Sequence, residues 1–157
     1  ESLIIDVRFN RGGFLADTLI EFLTAQKAAV VVPKKGKPAS DASRRSWLKP
    51  SVVIANSASY SEGSAFSQYY QDLNVGPIIG EPAPGTGTAV MGAFSSVYPD
   101  VFFSFPYLPL KTSDGRYYEN LELIPDIQAF NRPSEIAVGK DTQLDTAIEA
   151  ALSQIQP

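Results

Sequence analysis

Two apolar runs, each followed by a corner of small residues and then by a helical pattern, constrain what this chain can fold into. The first, Leu3-Ile4-Ile5-Asp6-Val7, ends in the turn Arg8-Phe9-Asn10-Arg11-Gly12-Gly13. It leads into a helix with Leu15, Leu19, Phe22 and Leu23 at i, i+4, i+7 and i+8, and Ala28 to Val32 reads as the next strand. The second, Ser51 to Ala55, enters the corner Asn56-Ser57-Ala58-Ser59-Tyr60-Ser61-Glu62-Gly63-Ser64. A helix follows from about Ser61 to Leu73, then a short strand, Pro77 to Gly80. Strands separated by a helix cannot pair as a hairpin and run parallel, so the pattern predicts a layered α/β fold.

The 157 residues fit a single domain, 1–157, with a sizeable core. No apolar run is long enough to span a bilayer, and a net charge of −4 counts against a nucleic-acid partner. The chain has neither cysteine nor histidine. Disulfides, thiolate metal sites and a cysteine nucleophile are therefore excluded, no cofactor is expected, and a Ser-His-acid triad cannot be completed from these residues alone. The chain enters a core strand directly after Glu1-Ser2, without an initiator Met or leader, and is expected to be part of a longer polypeptide whose upstream part is missing.

Lys34 to Lys49, with six basic residues and one acid, reads as an exposed loop whose end is docked by Trp47 and Leu48. Glu81 to Thr88 is a Pro/Gly turn cluster, where the backbone can approach a ligand closely. Val97 to Leu110 is strand-like, and its aromatics Phe102, Phe103, Phe105 and Tyr107 are expected in the core. Thr112-Ser113-Asp114-Gly115 is a hairpin-type turn, and Pro125 marks an edge strand or a strand end. Residues 131–140 form a loop, and Asp141 caps a last helix with Leu144, Ile148 and Leu152 on one face.

Four features stand at strand ends, where sites form in open α/β folds: Asn10-Arg11-Gly12-Gly13, Ser59 to Gly63, Gly85-Thr86-Gly87 and Tyr118-Glu119-Asn120. A Gly-Gly turn can offer backbone N–H groups to an oxyanion. A serine at a helix start can attack a carbonyl, and a glutamate can orient a base. The set outlines acyl transfer. The residues alone leave open which serine acts, and whether the corner serine is simply a helix cap.

The chain resembles the tricorn-like and C-terminal-processing serine peptidases (S41-type), as the C-terminal part of their catalytic domain. The matching segments are Leu3 to Gly13, Val52 to Gly63, Gln71-Asp72, Ile79-Gly80-Glu81-Pro82, Glu119-Asn120, Ile124-Pro125-Asp126-Ile127 and Gly139 to Asp145. The resemblance implies the Clp protease/crotonase-like β-β-α superhelix, of which this chain is the C-terminal portion. It implies Ser61 rather than Ser59 as nucleophile. Half of the oxyanion hole comes from the backbone N–H of Glu62, and half from the Gly12-Gly13 turn, Gly13 in preference. One branch of the family uses a lysine base where this chain has Thr86, so the Ser-Lys dyad is excluded. The tricorn-like branch pairs its serine with a histidine and a glutamate, and Glu119 matches that glutamate. The histidine lies upstream of this chain, which alone is then expected to be inactive. Gly85, Gly87 and Val90 are implied to line an extended substrate strand.

The function expected is a serine endopeptidase cleaving extended or unfolded polypeptides through an acyl-enzyme. Its partners are a polypeptide substrate, an upstream domain of the same protein supplying the histidine, and further copies in an oligomer. A non-catalytic ligand- or peptide-binding module on the same fold is the alternative, followed by a crotonase-like acyl-thioester enzyme. The Ser-rich, Cys-free composition fits a bacterial envelope or secreted enzyme.

Overall fold

In chain order the elements are β1 (Leu3–Asp6), α1 (Ala16–Thr24), β2 (Ser51–Ala55), α2 (Glu62–Asp72), β3 (Ile78–Gly80), β4 (Thr88–Phe94), β5 (Phe102–Pro109), β6 (Ile127–Gln128), α3 (Pro133–Ile136) and α4 (Thr142–Ser153). They come from a computed structural model that describes residues 1–24, 46–112 and 114–155. Four strands form one parallel sheet in the order β1-β2-β3-β6, with Leu3 opposite Ser51, Val53 opposite Ile78 and Ile79 opposite Ile127.

β2 is the centre of this sheet and is buried along its whole length. Its side chains alternate between two apolar layers, as the period of a strand requires. Val53 and Ala55, with Ile78 of β3, pack on Ile20 and Leu23 of α1 and on Phe66 and Tyr70 of α2. Val52 and Ile54, with Ile79, face Ala129 and the α4 residues Ala147 and Ala151. Each fully buried aliphatic or aromatic side chain contributes roughly 1.5–3 kcal/mol. The polar atoms of this core are paired: the Tyr70 hydroxyl donates to the Ser51 carbonyl at 2.7 Å and lies 2.9 Å from the Ser51 hydroxyl. Burial pushes the Tyr70 phenol up to about 12.

The parallel α/β plan, the helix after the Gly-Gly turn, the helix after the serine corner and the Asp141 cap all follow the sequence expectation. Asp141 Oδ1 accepts the Leu144 N–H at 3.0 Å, and Pro125 does precede an edge strand, β6. Leu144, Ile148 and Leu152 do share one face of α4, although it is not the buried one. The inward stripe of α4 is Gln143, Ala147 and Ala151, while Leu144, Ile148 and Leu152 are 36–47% exposed. Alanine lets the helix axis approach the sheet, and Gln143 turns inward because its amide is fully hydrogen-bonded. Two expectations are corrected. The aromatics of Phe102 to Tyr107 are exposed rather than core. They lie on β5, which pairs antiparallel with β4, a strand that begins where the Pro/Gly cluster of residues 81–88 ends. A two-stranded ribbon presents both faces, and its rings meet one another, Phe94 edge-to-face with Phe102 and Phe103 stacked on Phe105. Trp47 docks, donating its backbone N–H to the Phe22 carbonyl at 2.6 Å, but Leu48 stays 74% exposed. The expected strand at Ala28–Val32 and the basic run up to Arg45 lie outside the described residues. No helix among the described residues is long and apolar enough to cross a membrane.

Candidate active site

The C-terminal end of β2 delivers the chain into the serine corner, and two polar side chains set its path. Asn56 Oδ1 accepts the N–H of Phe9 and of Ala58, each at 3.2 Å, tying the loops after β1 and β2 together. The Ser59 hydroxyl is fully buried; it donates to the Val7 carbonyl at 3.0 Å and accepts the Asn56 N–H at 3.1 Å. Both roles of that oxygen are taken by the backbone. Ser61 differs. It stands at the N-cap position of α2 with φ 52° and ψ −119°, and its hydroxyl makes no capping hydrogen bond. A left-handed backbone at a non-glycine residue costs on the order of 1–3 kcal/mol and persists only where the surroundings impose it. A strained strand-to-helix turn that projects a serine Oγ is the geometry of a nucleophile elbow.

The Gly12-Gly13 turn lies against this serine. A Cβ on Gly12 would stand 3.4 Å from Ser61 Cβ and 3.5 Å from Ser61 Oγ, and the φ of 137° at Gly12 suits glycine. Asn10 holds the two loops together: its Oδ1 accepts the Gly12 N–H at 2.8 Å, and its carbonyl accepts the Tyr60 N–H at 2.8 Å. The Gly12 N–H is therefore occupied, whereas that of Gly13 has no partner among the described residues. The N–H of Glu62, at the first position of α2, is one of the helix's unpaired donors. The Glu62 carboxylate reaches across to accept the Ala16 N–H at 2.6 Å, capping α1 from the neighbouring loop.

A third segment closes the other side. Thr86 Oγ1 accepts the Ser61 N–H at 2.6 Å, and the Ser64 hydroxyl donates to the Pro84 carbonyl at 2.5 Å. Gly85 and Gly87, on either side of Thr86, press on the Tyr118–Leu121 segment. A Cβ on Gly85 would lie 2.3 Å from the Leu121 N, and one on Gly87 2.1 Å from Tyr118 Cβ. The Asn120 N–H donates to the Gly85 carbonyl at 2.9 Å. Glu119 sits in that return segment, exposed, with no hydrogen bond or ion pair among the described residues. Its neighbour Tyr118 is anchored by a 2.9 Å hydrogen bond to Asp72 Oδ2. Burial, then this carboxylate, holds the Tyr118 phenol far above its ordinary value. The structure thus brings Ser61, the Gly12-Gly13 turn, Glu62 and Thr86 into direct contact and joins Glu119 to them through Gly85 and Gly87. Val90 lies further along, 68% exposed on β4 beside a register shift at Ala89/Val90.

A model of peptidase family S41 matches residues 1–129. The chain belongs to that family. Among S41 relatives, a tricorn protease homolog of Saccharolobus solfataricus is 35% identical over 158 residues, covering 99% of this chain and 14% of the relative. The crystal structure of the tricorn protease superimposes with a TM-score of 0.76 at 28% identity, over 97% of this chain and 15% of that one. A photosystem II D1 C-terminal processing protease, 20% identical, shares the fold with a TM-score of 0.63 over 82% of this chain and 34% of its own. The chain spans less than a fifth of the length of the curated relatives it matches.

Behind the elbow, this S41 chain carries a charged network that the sequence reading did not foresee. The Arg8 guanidinium donates to Asp6 Oδ2 at 2.7 Å, to Asp141 Oδ1 at 2.8 Å and to Gln143 Oε1 at 3.1 Å. Gln143 Nε2 continues to Glu81 Oε1 at 3.3 Å, and Glu81 Oε2 accepts the Ser57 hydroxyl at 3.0 Å. The Arg8 hydrogen bond holds the Asp141 carboxyl well below the usual carboxylate range. The network walls a cleft of about 490 Å³ that also touches Phe9, Asn56 and Lys140. Asn10 and Asn56 each accept the N–H two residues on, a turn signal that adjacent residues carry, whereas the contacts from Asn56 Oδ1 to Phe9 and from Thr86 Oγ1 to Ser61 join residues far apart in sequence and have no sequence signal.

Proposed function

We infer that the chain is the nucleophile-bearing part of a serine endopeptidase core, built on the Clp/crotonase-like superhelix that its parallel sheet fits. The observation that carries this is Ser61: a hydroxyl not used for capping, on a strained elbow, with Gly12 packed against its Oγ. In the proposed reaction Ser61 Oγ attacks the scissile carbonyl of an extended peptide while a histidine from polypeptide outside this chain takes its proton. The developing oxyanion accepts the N–H groups of Glu62 and Gly13. The Gly12 N–H is excluded from that role because Asn10 holds it. Removing one such donor costs about 2.7–4 kcal/mol of transition-state stabilisation. Glu119, which has no hydrogen bond or ion pair among the described residues, orients the histidine through an intervening polar group. Gly85, Gly87 and Val90 line the path of the substrate, which pairs along the open edge of β4. The histidine returns its proton to the leaving amine, and water then releases the acyl group.

The full-length protein is expected to label with a fluorophosphonate at Ser61, located by peptide mapping, and Ser61→Ala to abolish both labelling and peptide hydrolysis. Undiminished labelling of the Ser61→Ala protein would sink the assignment. The isolated 157-residue chain should hydrolyse no peptide.

A further inference from the structure

Ser61 at φ 52° is out of place for an L-residue, and something must hold it there. Four contacts bear on it. Gly12 packs on the Ser61 side chain, and the Ser61 carbonyl accepts the Ala65 N–H at 2.8 Å to start α2. Neither restrains the amide plane preceding Ser61. That plane is held at both ends: the Tyr60 carbonyl accepts the Gly63 N–H at 3.0 Å within the corner itself, and the Ser61 N–H donates to Thr86 Oγ1 at 2.6 Å. Of these two, the Thr86 contact is the one that comes from a separate segment, and φ is the rotation about the bond leading from that amide to the Ser61 Cα. Thr86 can serve because its own segment cannot shift. The Pro84 carbonyl is held by Ser64, and the glycines flanking Thr86 leave no room for a Cβ against Tyr118 and Leu121.

Resting on the reading of Ser61 as nucleophile, we propose that Thr86 is a positioning residue of this peptidase: its hydroxyl fixes the elbow amide and so aims Ser61 Oγ. The same segment, packed on the return strand, sets the spacing between Ser61 and Glu119. Thr86 thus occupies the place from which other S41 enzymes are expected to supply a lysine base, but acts on the backbone of the serine rather than on its proton. Serine at position 86 retains the function, and valine, equal in shape but without an acceptor, loses it.

The test uses full-length protein with Thr86→Val, Thr86→Ser and the smaller Thr86→Ala, in which no added methyl can disturb folding. Thr86→Val and Thr86→Ala are expected to lower kcat and the rate of fluorophosphonate labelling roughly ten- to hundredfold, as for a small misplacement of a reacting group. KM should stay within about twofold, since no substrate contact is removed. Thr86→Ser should restore both rates, and exchange of the Ser61 amide proton should quicken in the valine and alanine proteins only. Labelling of Thr86→Val and Thr86→Ala at the unsubstituted rate overturns the proposal. So does a Thr86→Ser protein as slow as Thr86→Val, which would assign the effect to packing of the methyl group. Persistent labelling of Ser61→Ala fails the nucleophile reading instead, and the amide-exchange result then still decides whether Thr86 holds the elbow.

Discussion

The strain at Ser61 can be weighed by two substitutions that differ only in a Cβ. Ser61→Ala and Ser61→Gly both remove the hydroxyl, which forms no capping bond, so neither loses a helix cap by doing so. Both keep the N–H that Thr86 accepts. Alanine retains the Cβ that makes φ 52° and ψ −119° costly; glycine removes it. The strain released is on the order of 1–3 kcal/mol. Against it stands the extra freedom glycine gives the unfolded chain, about 0.4–1 kcal/mol. The glycine protein should therefore be more stable than the alanine protein by about 1 kcal/mol, the reverse of the order in a helix interior and the same direction as the general N-cap preference. The assay is amide hydrogen exchange of the intact protein, read as the opening free energy of peptides spanning residues 56–73. Slower exchange in Ser61→Gly than in Ser61→Ala is the expected result. Equal or faster exchange would mean that the elbow conformation stores no strain, and the physical basis for singling out Ser61 would be lost.

Ser59→Ala should separate a structural serine from the proposed nucleophile: leaving the buried Asn56 N–H without its acceptor costs about 1–3 kcal/mol, lowers the thermal midpoint, and leaves the expected labelling at Ser61 intact. Gly12→Ala places a methyl 3.5 Å from Ser61 Oγ at a left-handed φ, and should destabilise by about 1–3 kcal/mol and suppress labelling. Gly87→Ala meets Tyr118 Cβ at 2.1 Å and should destabilise by about 1–3 kcal/mol or more, measured by the same midpoint. For Asp141, whose folded pKa is depressed, the linked stability is present above the unfolded value of about 3.9 and is lost as pH falls through the lower folded value. Asp141→Asn removes the titration, so between about pH 4 and pH 2 the unsubstituted protein should lose more stability than the variant; parallel acid-denaturation curves would contradict this.

The part of this protein legible in the sequence is the part governed by local periodicity and steric rules. Val52 to Ala55 reads as a buried strand because four consecutive apolar residues admit little else between two corners. The βα order then forces parallel pairing. The Gly-Gly turn, the serine corner and the Asp141 cap are visible because each depends on residues adjacent in the chain. Which face of α4 turns inward is not legible in this way: Gln143, Ala147 and Ala151 are buried, while the more apolar Leu144, Ile148 and Leu152 are partly exposed. The aromatic ribbon was misread because apolar content predicts burial only when a second layer exists to cover it.

Periodicity and turn residues specify most of the strands and helices and the corners where chemistry can occur. The packing of the loops settles which serine hydroxyl is left without a hydrogen bond among the described residues. Ser59 and Ser61 are two residues apart and alike in composition, yet one is consumed by the Val7 carbonyl and the Asn56 N–H, while the other is lifted on a left-handed elbow toward Gly12. Likewise Asn10 takes the Gly12 N–H and leaves that of Gly13, and Thr86 takes the Ser61 N–H. The Asn10–Gly12 and Asn56–Ser59 bonds are local, but the Val7 carbonyl that takes the Ser59 hydroxyl and the Thr86 hydroxyl that takes the Ser61 N–H come from separate segments. A hydrogen bond is satisfied by distance in space, on which order along the chain is silent until the sheet has set those loops side by side.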